Sequence, residues 1–286
     1  MIQDIFPHRL DNQFRPEASA DENSTVFHFH ADGRMLICGG ALPKMRDLPG
    51  VSAEQLTYLF RMDEKERFFL LRAEELPDAC QIPPAGDPLP GGWRYADLRS
   101  LRRENGLDRH LLFAACTALH LWHWYRDNRF CGRCGAATVP DGRERALRCA
   151  CGNLIYPRLV PAVIVGVVNG DRLLVTKYRT GFAPFALVAG FTEIGETLEQ
   201  TVAREVMEET GLRVKNIRYY KSQPWGIVDD LLAGFYCELD GPDTIRMDAS
   251  ELKLAQWRTR EEIELQPDDW SLTNEMMREF KEGRQR

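Results

Sequence analysis

Apolar and polar positions alternate from Ser24: in Thr25-Val26-Phe27-His28-Phe29-His30 they follow the two-residue period of a half-buried strand. Asp32-Gly33 supplies a hairpin turn, and residues 34–38 read as the returning strand. A helix is expected to begin near Ser52, and residues 67–72 form another apolar strand. Residues 80–93 hold Pro83, Pro84, Pro88, Pro90, Gly91 and Gly92 and predict a loop or linker. Asp108 caps a helix running to about Tyr125, with Leu111, Ala115, Leu119 and Trp122 at helical spacing. Further on, residues 160–168 are an apolar strand, Asn169-Gly170-Asp171 a tight turn and residues 172–178 a second strand. A helix over 198–210 follows, then strands near 217–220 and 232–239 and a last helix over 272–282. No internal repeat or low-complexity tract interrupts this order.

At roughly 150 residues per domain, the 286 residues make about two domains, and 44% hydrophobic with 28% charged residues excludes wholesale disorder. The formal charge of -6 argues against a general binder of phosphate backbones, although Arg99, Arg102, Arg103 and Arg109 form a local basic patch. The amino terminus has no basic region followed by an apolar one, and the apolar run 159–168 is far short of the ~20 residues that span a bilayer. A cytoplasmic protein is expected. The His and Trp residues of His120-Leu121-Trp122-His123-Trp124 are expected to be packing residues of their helix, and Cys38, Cys80, Cys116 and Cys237 buried small apolar residues.

The other four of the eight cysteines cluster. Cys131-Gly132-Arg133-Cys134-Gly135 is one half of a zinc ribbon, and Cys149-Ala150-Cys151-Gly152 is a second half one residue short. Four thiolates in a tetrahedron leave no open position for catalysis, so Cys131, Cys134, Cys149 and Cys151 predict a structural zinc ion held with a strained second turn.

The strongest chemical signal runs from Gly190 to Leu212. Gly190-Phe191-Thr192-Glu193-Ile194-Gly195-Glu196 is followed, seven residues on, by Arg204-Glu205-Val206-Met207-Glu208-Glu209-Thr210-Gly211-Leu212. Thr197 and Gln200 make a capping box and Gly211 a carboxyl-terminal cap, so this is a loop leading into a helix. At ~100° per residue, Glu208 and Glu209 lie about -60° and +40° from Glu205, and Leu198, Val202 and Val206 about +20° to +100°. The carboxylates therefore overlap the face that packs inward. Crowded and desolvated there, they call for a cation, and all-oxygen ligands suit Mg²⁺ or Mn²⁺. Such ions suit cleavage of phosphoanhydrides. Arg204 can pair with Glu196 across the loop.

These residues fit G-x5-E-x7-R-E-U-x-E-E-x-G-U at every fixed position, which resembles the Nudix box. The resemblance implies an α/β fold, a Nudix α/β/α sandwich with a mixed sheet, hydrolysing a nucleoside diphosphate linked to another moiety. The zinc ribbon ahead of it, and Ser222-Gln223-Pro224-Trp225 after it, resemble the NADH pyrophosphatase branch, whose specificity motif reads S-Q-P-W-P-F-P-x-S. The expected organisation is a small α+β amino-terminal domain over residues 1–127, the ribbon over 128–157 and the Nudix domain over 158–286. After Trp225 the chain departs from the motif: Gly226-Ile227-Val228-Asp229-Asp230 lacks two prolines and an aromatic and carries a carboxylate where the motif has a hydroxyl. A floppier, more acidic loop is expected.

Carried over by position, the resemblance implies metal binding by Glu205, Glu209 and Glu251, helped by Glu208 and the Ala189 carbonyl. It implies a base ring sandwiched by Phe191 and Tyr156, and substrate contacts from Gln223, Pro224, Trp225, Asp230, Glu144, Arg99 and Thr273. Bases differ among Nudix enzymes, so the box assigns none of its carboxylates that role. The implied activity is metal-dependent hydrolysis of NAD(H) to nicotinamide mononucleotide and AMP by a homodimer, with removal of NAD caps from RNA, and the basic patch at Arg99 to Arg109 is the natural track for an RNA strand. Two other readings remain: a Nudix pyrophosphatase of another substrate such as ADP-ribose, and a zinc-ribbon nucleic-acid-binding protein with a vestigial Nudix domain.

Overall fold

The computed structural model describes residues 1–72, 92–104, 106–181 and 184–285. Of the proline-rich stretch 80–93, all but the last two residues lie outside the described residues, and so does Cys80. Trp93 opens a strand rather than closing a loop. The chain divides into two compact units, the first Asp4–Arg158 with Gly226–Asp229, the second Met1–Gln3, Leu159–Trp225 and Asp230–Arg286.

In the first unit the strands are β1 (Leu10–Asp11), β2 (Thr25–Phe27), β3 (Met35–Cys38), β4 (Leu56–Met62), β5 (Glu66–Leu71) and β6 (Trp93–Ala96). Helices α1 (Leu98–Arg103) and α2 (Arg109–Asp127) follow, then β7 (Thr138–Pro140), β8 (Leu147–Cys149) and β9 (Leu154–Ile155). One sheet has the order β1-β4-β5-β2, β3 pairs with β6, and β7-β8-β9 make the ribbon's small sheet. The expected hairpin of β2 with β3 forms only at its tip, where Leu36 N–H donates to the His28 carbonyl. β2 instead runs parallel to β5, with Thr25 opposite Phe68. Val26 and Phe27 are fully buried, and Phe27 stacks on Phe68 at 5.7 Å, so apolar burial outweighs the local turn. The helix expected near Ser52 is a single 3₁₀ turn, Ala53–Gln55. Ser52 N–H donates to Gln55 Oε1 at 2.7 Å, but alternating Leu56 to Met62 then takes the chain into β4.

The second unit comprises β10 (Val160–Asn169), β11 (Arg172–Tyr178), β12 (Val188–Phe191), α3 (Leu198–Thr210), β13 (Val214–Trp225), β14 (Asp230–Leu239), β15 (Leu252–Thr259) and α4 (Leu272–Lys281). The sheet has the order β13-β14-β10-β11-β15, with β12 also paired to β10. It is mixed, because β10 runs parallel to β14 and antiparallel to β11 and β12. The two-residue period of β10 makes both cores. Ala162 and Ile164 face Leu272, Met276 and Phe280 of α4, while Val163, Val165 and Val167 face Val202 and Val206 of α3. The result is an α/β/α sandwich. β13 is longer than its expected four residues and carries the polar stretch Ser222-Gln223 as strand, because it is an edge strand paired on one side by β14.

Gly166 lies where β10 passes under a buried tyrosine ring: a Cβ there would stand 2.7 Å from Tyr236 Cδ1 and 2.8 Å from Cε1. The ring is pinned, since Tyr236 Oη donates to the Met276 carbonyl at 2.6 Å. Gly166→Ala is expected to destabilise the protein by about 1–3 kcal/mol, the usual cost of overpacking, read as a lower urea midpoint with an unchanged slope.

Candidate functional site: a buried carboxylate cluster and a four-thiol knot

Helix α3 is fixed at both ends. Gln200 N–H donates to Thr197 Oγ1 at 3.3 Å and Thr197 N–H to Gln200 Oε1 at 2.8 Å, while Gly211 ends the helix in the left-handed region at φ 69°. Val202 and Val206 pull one face onto the sheet. The same rotation carries Glu209 inward to 3% exposure, whereas the Glu208 side chain stays 59% exposed. The three acids are thus not equivalent. One is core, one is surface, and Glu205 is between them with a side chain 13% exposed.

Around Glu209 the second unit gathers further acids. Burial, then the charges of Glu205 and Glu251, push the Glu209 carboxyl up to about 8, against the backbone N–H of Ala189, which favours its charged form. Burial likewise raises Glu205. Burial, then Glu209, Glu251 and Glu205, raises the phenol of Tyr178 as well. Glu251 stands at the entry to β15, where its carbonyl accepts from Arg179 N–H at 2.9 Å. Ala189 thus reaches Glu209 through its amide. Glu209 Oε2 is buried with no hydrogen-bond partner among the described residues. A buried carboxylate oxygen left so, beside two more carboxylates, fits the inner face of a divalent-cation site with oxygen ligands.

Arg204 offsets part of this charge. Its guanidinium donates to Glu196 at 2.7 and 2.9 Å, to Glu205 at 2.7 Å, to Glu208 at 3.0 Å and to the Phe191 carbonyl at 2.8 Å. It holds the Glu196 carboxyl down at about 2. Gly190 seats Glu205, since a Cβ there would fall 1.9 Å from the Glu205 carboxyl carbon. That close approach gives the first glycine of the box its reason.

Other predicted residues fall in varied settings. Phe191 is 55% exposed at the end of β12, Pro224 is exposed, and Trp225 packs partly against the α4-side core. Gln223 departs from the expected substrate contact. It is fully buried, and its amide donates to the Trp270 carbonyl at 2.8 Å and to Gln3 Oε1, and accepts from Leu272 N–H at 2.7 Å, capping α4. Asp230 is buried at the start of β14 and Thr273 half-buried in the first turn of α4. In the first unit, Tyr156 is 52% exposed and its hydroxyl donates to Glu144 Oε1 at 2.9 Å, while Arg99 lies exposed on α1. Sequence reasoning passed over Tyr178 and Asp229. Tyr178 carries no spacing signal; it is placed by the pairing of β11 with β15.

The four ribbon thiols do converge. All their sulfurs lie within 4.8 Å of one another, with Cys131 and Cys151 at 3.8 Å and Cys134 and Cys149 at 3.4 Å. Four ligands at ~2.3 Å from a tetrahedral zinc ion stand ~3.8 Å apart, so the shortened second turn still fits one ion. The amides of Arg133 and Cys134 draw the Cys131 thiol down to about 6, toward the thiolate that zinc takes.

Comparison with known proteins agrees with both centres. A model of the NUDIX domain matches residues 158–280, and one of the NADH pyrophosphatase zinc ribbon domain matches residues 126–156. The chain is similar to the NAD-capped RNA hydrolase NudC of Enterobacter sp. (strain 638), 38% identical over 221 residues, 71% of this chain and 84% of that one. It is also similar to the NAD-capped RNA hydrolase NudC of Shigella flexneri, 40% identical over 178 residues, 61% of this chain and 68% of that one.

Two outcomes are expected. In metal-free protein Glu209 keeps its proton up to about pH 8 when folded but loses it near ~4.3 when unfolded. The folded state therefore binds the extra proton between those values, and its stability falls as pH rises through that window, by on the order of a few kcal/mol. Glu209→Gln should flatten that slope and raise the Tm of metal-free protein at pH 8, while abolishing stabilisation by Mn²⁺; an unchanged slope counts against the burial argument. Separately, elemental analysis should find zinc in the purified chain, and Cys151→Ser should strip it and lower the Tm.

Proposed function

Because the chain belongs to the Nudix hydrolase family, in the branch with the NADH pyrophosphatase zinc ribbon, we propose that it hydrolyses the diphosphate of NAD(H) to nicotinamide mononucleotide and AMP. The same reaction on a 5′ NAD cap would leave RNA with a 5′ monophosphate. The observation that carries this reading is Glu209: a buried carboxylate with one oxygen unpartnered, beside Glu205 and Glu251. Such a cluster is destabilising in itself and makes sense as the seat of a cation.

Glu205, Glu209 and Glu251, with Glu208 and Ala189 at the margin, would hold Mg²⁺ or Mn²⁺. When bound, such a cation shields the diphosphate, lowers the pKa of water and stabilises charge developing on phosphorus. The chain's own residues do the rest. Arg204 locks Glu205 and the loop carbonyl of Phe191 in one place, so the carboxylates need no rearrangement when substrate arrives. Phe191 and Tyr156 are exposed rings available to stack on the flat bases of a dinucleotide, with Glu144 orienting the Tyr156 hydroxyl. Trp225, Pro224, Asp230, Thr273 and Arg99 complete the proposed substrate contacts, and Gln223 fixes the strand beside Pro224 through its bonds to Trp270 and Leu272. The reaction adds water across one P–O–P linkage, the hydroxyl going to the attacked phosphorus and the proton to the departing phosphate. A homodimer in the cytoplasm is the proposed working form, and none of the described helices is long and apolar enough to cross a membrane.

Product analysis tests the reading. With Mn²⁺ and, in parallel, NADH, NAD⁺, ADP-ribose, FAD and NAD-capped RNA, the nicotinamide substrates should be cleaved fastest, to the mononucleotide and AMP or 5′-monophosphate RNA. Glu209→Gln should lower kcat/KM at least ~100-fold. Fast cleavage of ADP-ribose with inert nicotinamide dinucleotides would show that the altered loop has redirected the enzyme.

A further inference from the structure

The turn 226–229 between β13 and β14 is held by side chains of α2 and by Arg158. Asp229 adopts a left-handed backbone, φ 65°, and is 6% exposed. Residues other than glycine are uncommon there, aspartate being one of the more frequent. Its carboxylate is held on two sides. Oδ1 pairs with His123 Nδ1 at 2.8 Å and lies 3.9 Å from His120 Nε2, and Oδ2 accepts from Arg158 Nη2 at 2.8 Å. His120 Nε2 in turn meets the Arg158 carbonyl at 2.7 Å. At the other end of the turn, a Cβ on Gly226 would stand 2.3 Å from the Cys116 carbonyl oxygen and 3.0 Å from His120 Cβ. Only glycine allows so close an approach. All these groups belong to the first unit.

The expected floppy loop is therefore replaced by a clamped one, and the histidines expected merely to pack are half of the clamp. We propose that Asp229 is a positioning residue: through His123 and Arg158 it fixes the turn after Trp225, and with it the presentation of Trp225 to substrate. Gln223 holds the near side of the same stretch by its bonds to Trp270 and Leu272. Between the two anchors only Pro224 and Trp225, then the short turn, remain to be ordered. A turn already ordered in the free enzyme spares that ordering when substrate binds, so losing the clamp weakens binding rather than chemistry. As far as substrate is concerned, this inference rests on the function proposed above; the conformation of the turn does not.

Two measurements separate them. Hydrogen–deuterium exchange of residues 224–231 should be slow in the wild type and clearly faster in Asp229→Ala and in Arg158→Ala. Arg158 has a side chain 66% exposed, so its removal does not threaten folding. Steady-state hydrolysis of NADH should show KM raised roughly tenfold in Asp229→Ala, with kcat within about twofold and the Mn²⁺ dependence unmoved. His123→Ala added to Asp229→Ala should cost little more, since one clamp cannot be lost twice. Equal exchange in wild type and both variants would overturn the proposal whatever the activity. So would a fall in kcat with KM unchanged, or equal losses that follow a lowered Tm. If the wild type leaves NADH intact, it is the proposed function that fails, and the exchange comparison alone decides on the clamp.

Discussion

Glu209 carries a carboxylate into the same layer as Val202 and Val206, and the second unit is organised around making that position tolerable. The apolar stripe of α3 needs the sheet, and the helix cannot turn Glu209 outward without lifting the valines off Val163, Val165 and Val167. The acid is thus forced into a desolvated place by burial that stabilises the fold by on the order of several kcal/mol. Protonation answers the problem in the absence of a cation; a cation held as proposed would answer it better, because it would also neutralise Glu205 and Glu251. On the proposed reading, metal affinity would be the release of a strain that the core imposes.

Arg204 sets the limit on that strain. Its guanidinium serves three carboxylates and a carbonyl, binding the loop at Glu196 and Phe191 to the helix at Glu205 and Glu208. A lysine could reach one or two of these groups, but not present five planar donors to all of them. The arginine spares Glu209, with which it forms no described hydrogen bond, and so leaves the innermost carboxylate for other partners. Gly190 completes the arrangement by leaving room for Glu205 to stand against β12.

Much of this was legible in the sequence because it is local. Capping residues, glycine at the helix end and acids three and four apart specify α3 between Thr197 and Gly211, and helical rotation alone puts Glu209 near the apolar face. The thiol cluster is legible for the same reason: metal ligands advertise themselves by spacing. What escaped depends on pairing at a distance. Nothing near Thr25 says that β2 will lie beside β5 rather than β3, because that choice is made by Phe68 and its neighbours forty residues on. Nothing near Gln223 says that its amide will cap α4, and nothing near His123 names Asp229 as its partner across more than a hundred residues.

That contrast bears on why the box is intact while the motif after Trp225 is not. In the box nearly every residue answers to several others at once: replace Arg204 and Glu196, Glu205 and Phe191 all lose a partner. The turn at 226–229 answers to fewer constraints. It must be short, it must pass close to Cys116, and it must be rigid. Rigidity can come from proline or from a buried carboxylate tied down by hydrogen bonds, since either removes conformations from the free chain. A carboxylate at 229 and its hydrogen-bond partners at 123 and 158 are three separate positions, however, and a buried Asp229 without those partners would be costly. The clamp therefore stands or falls as a set, because the buried Asp229 is tolerable only with His123 and Arg158 in place.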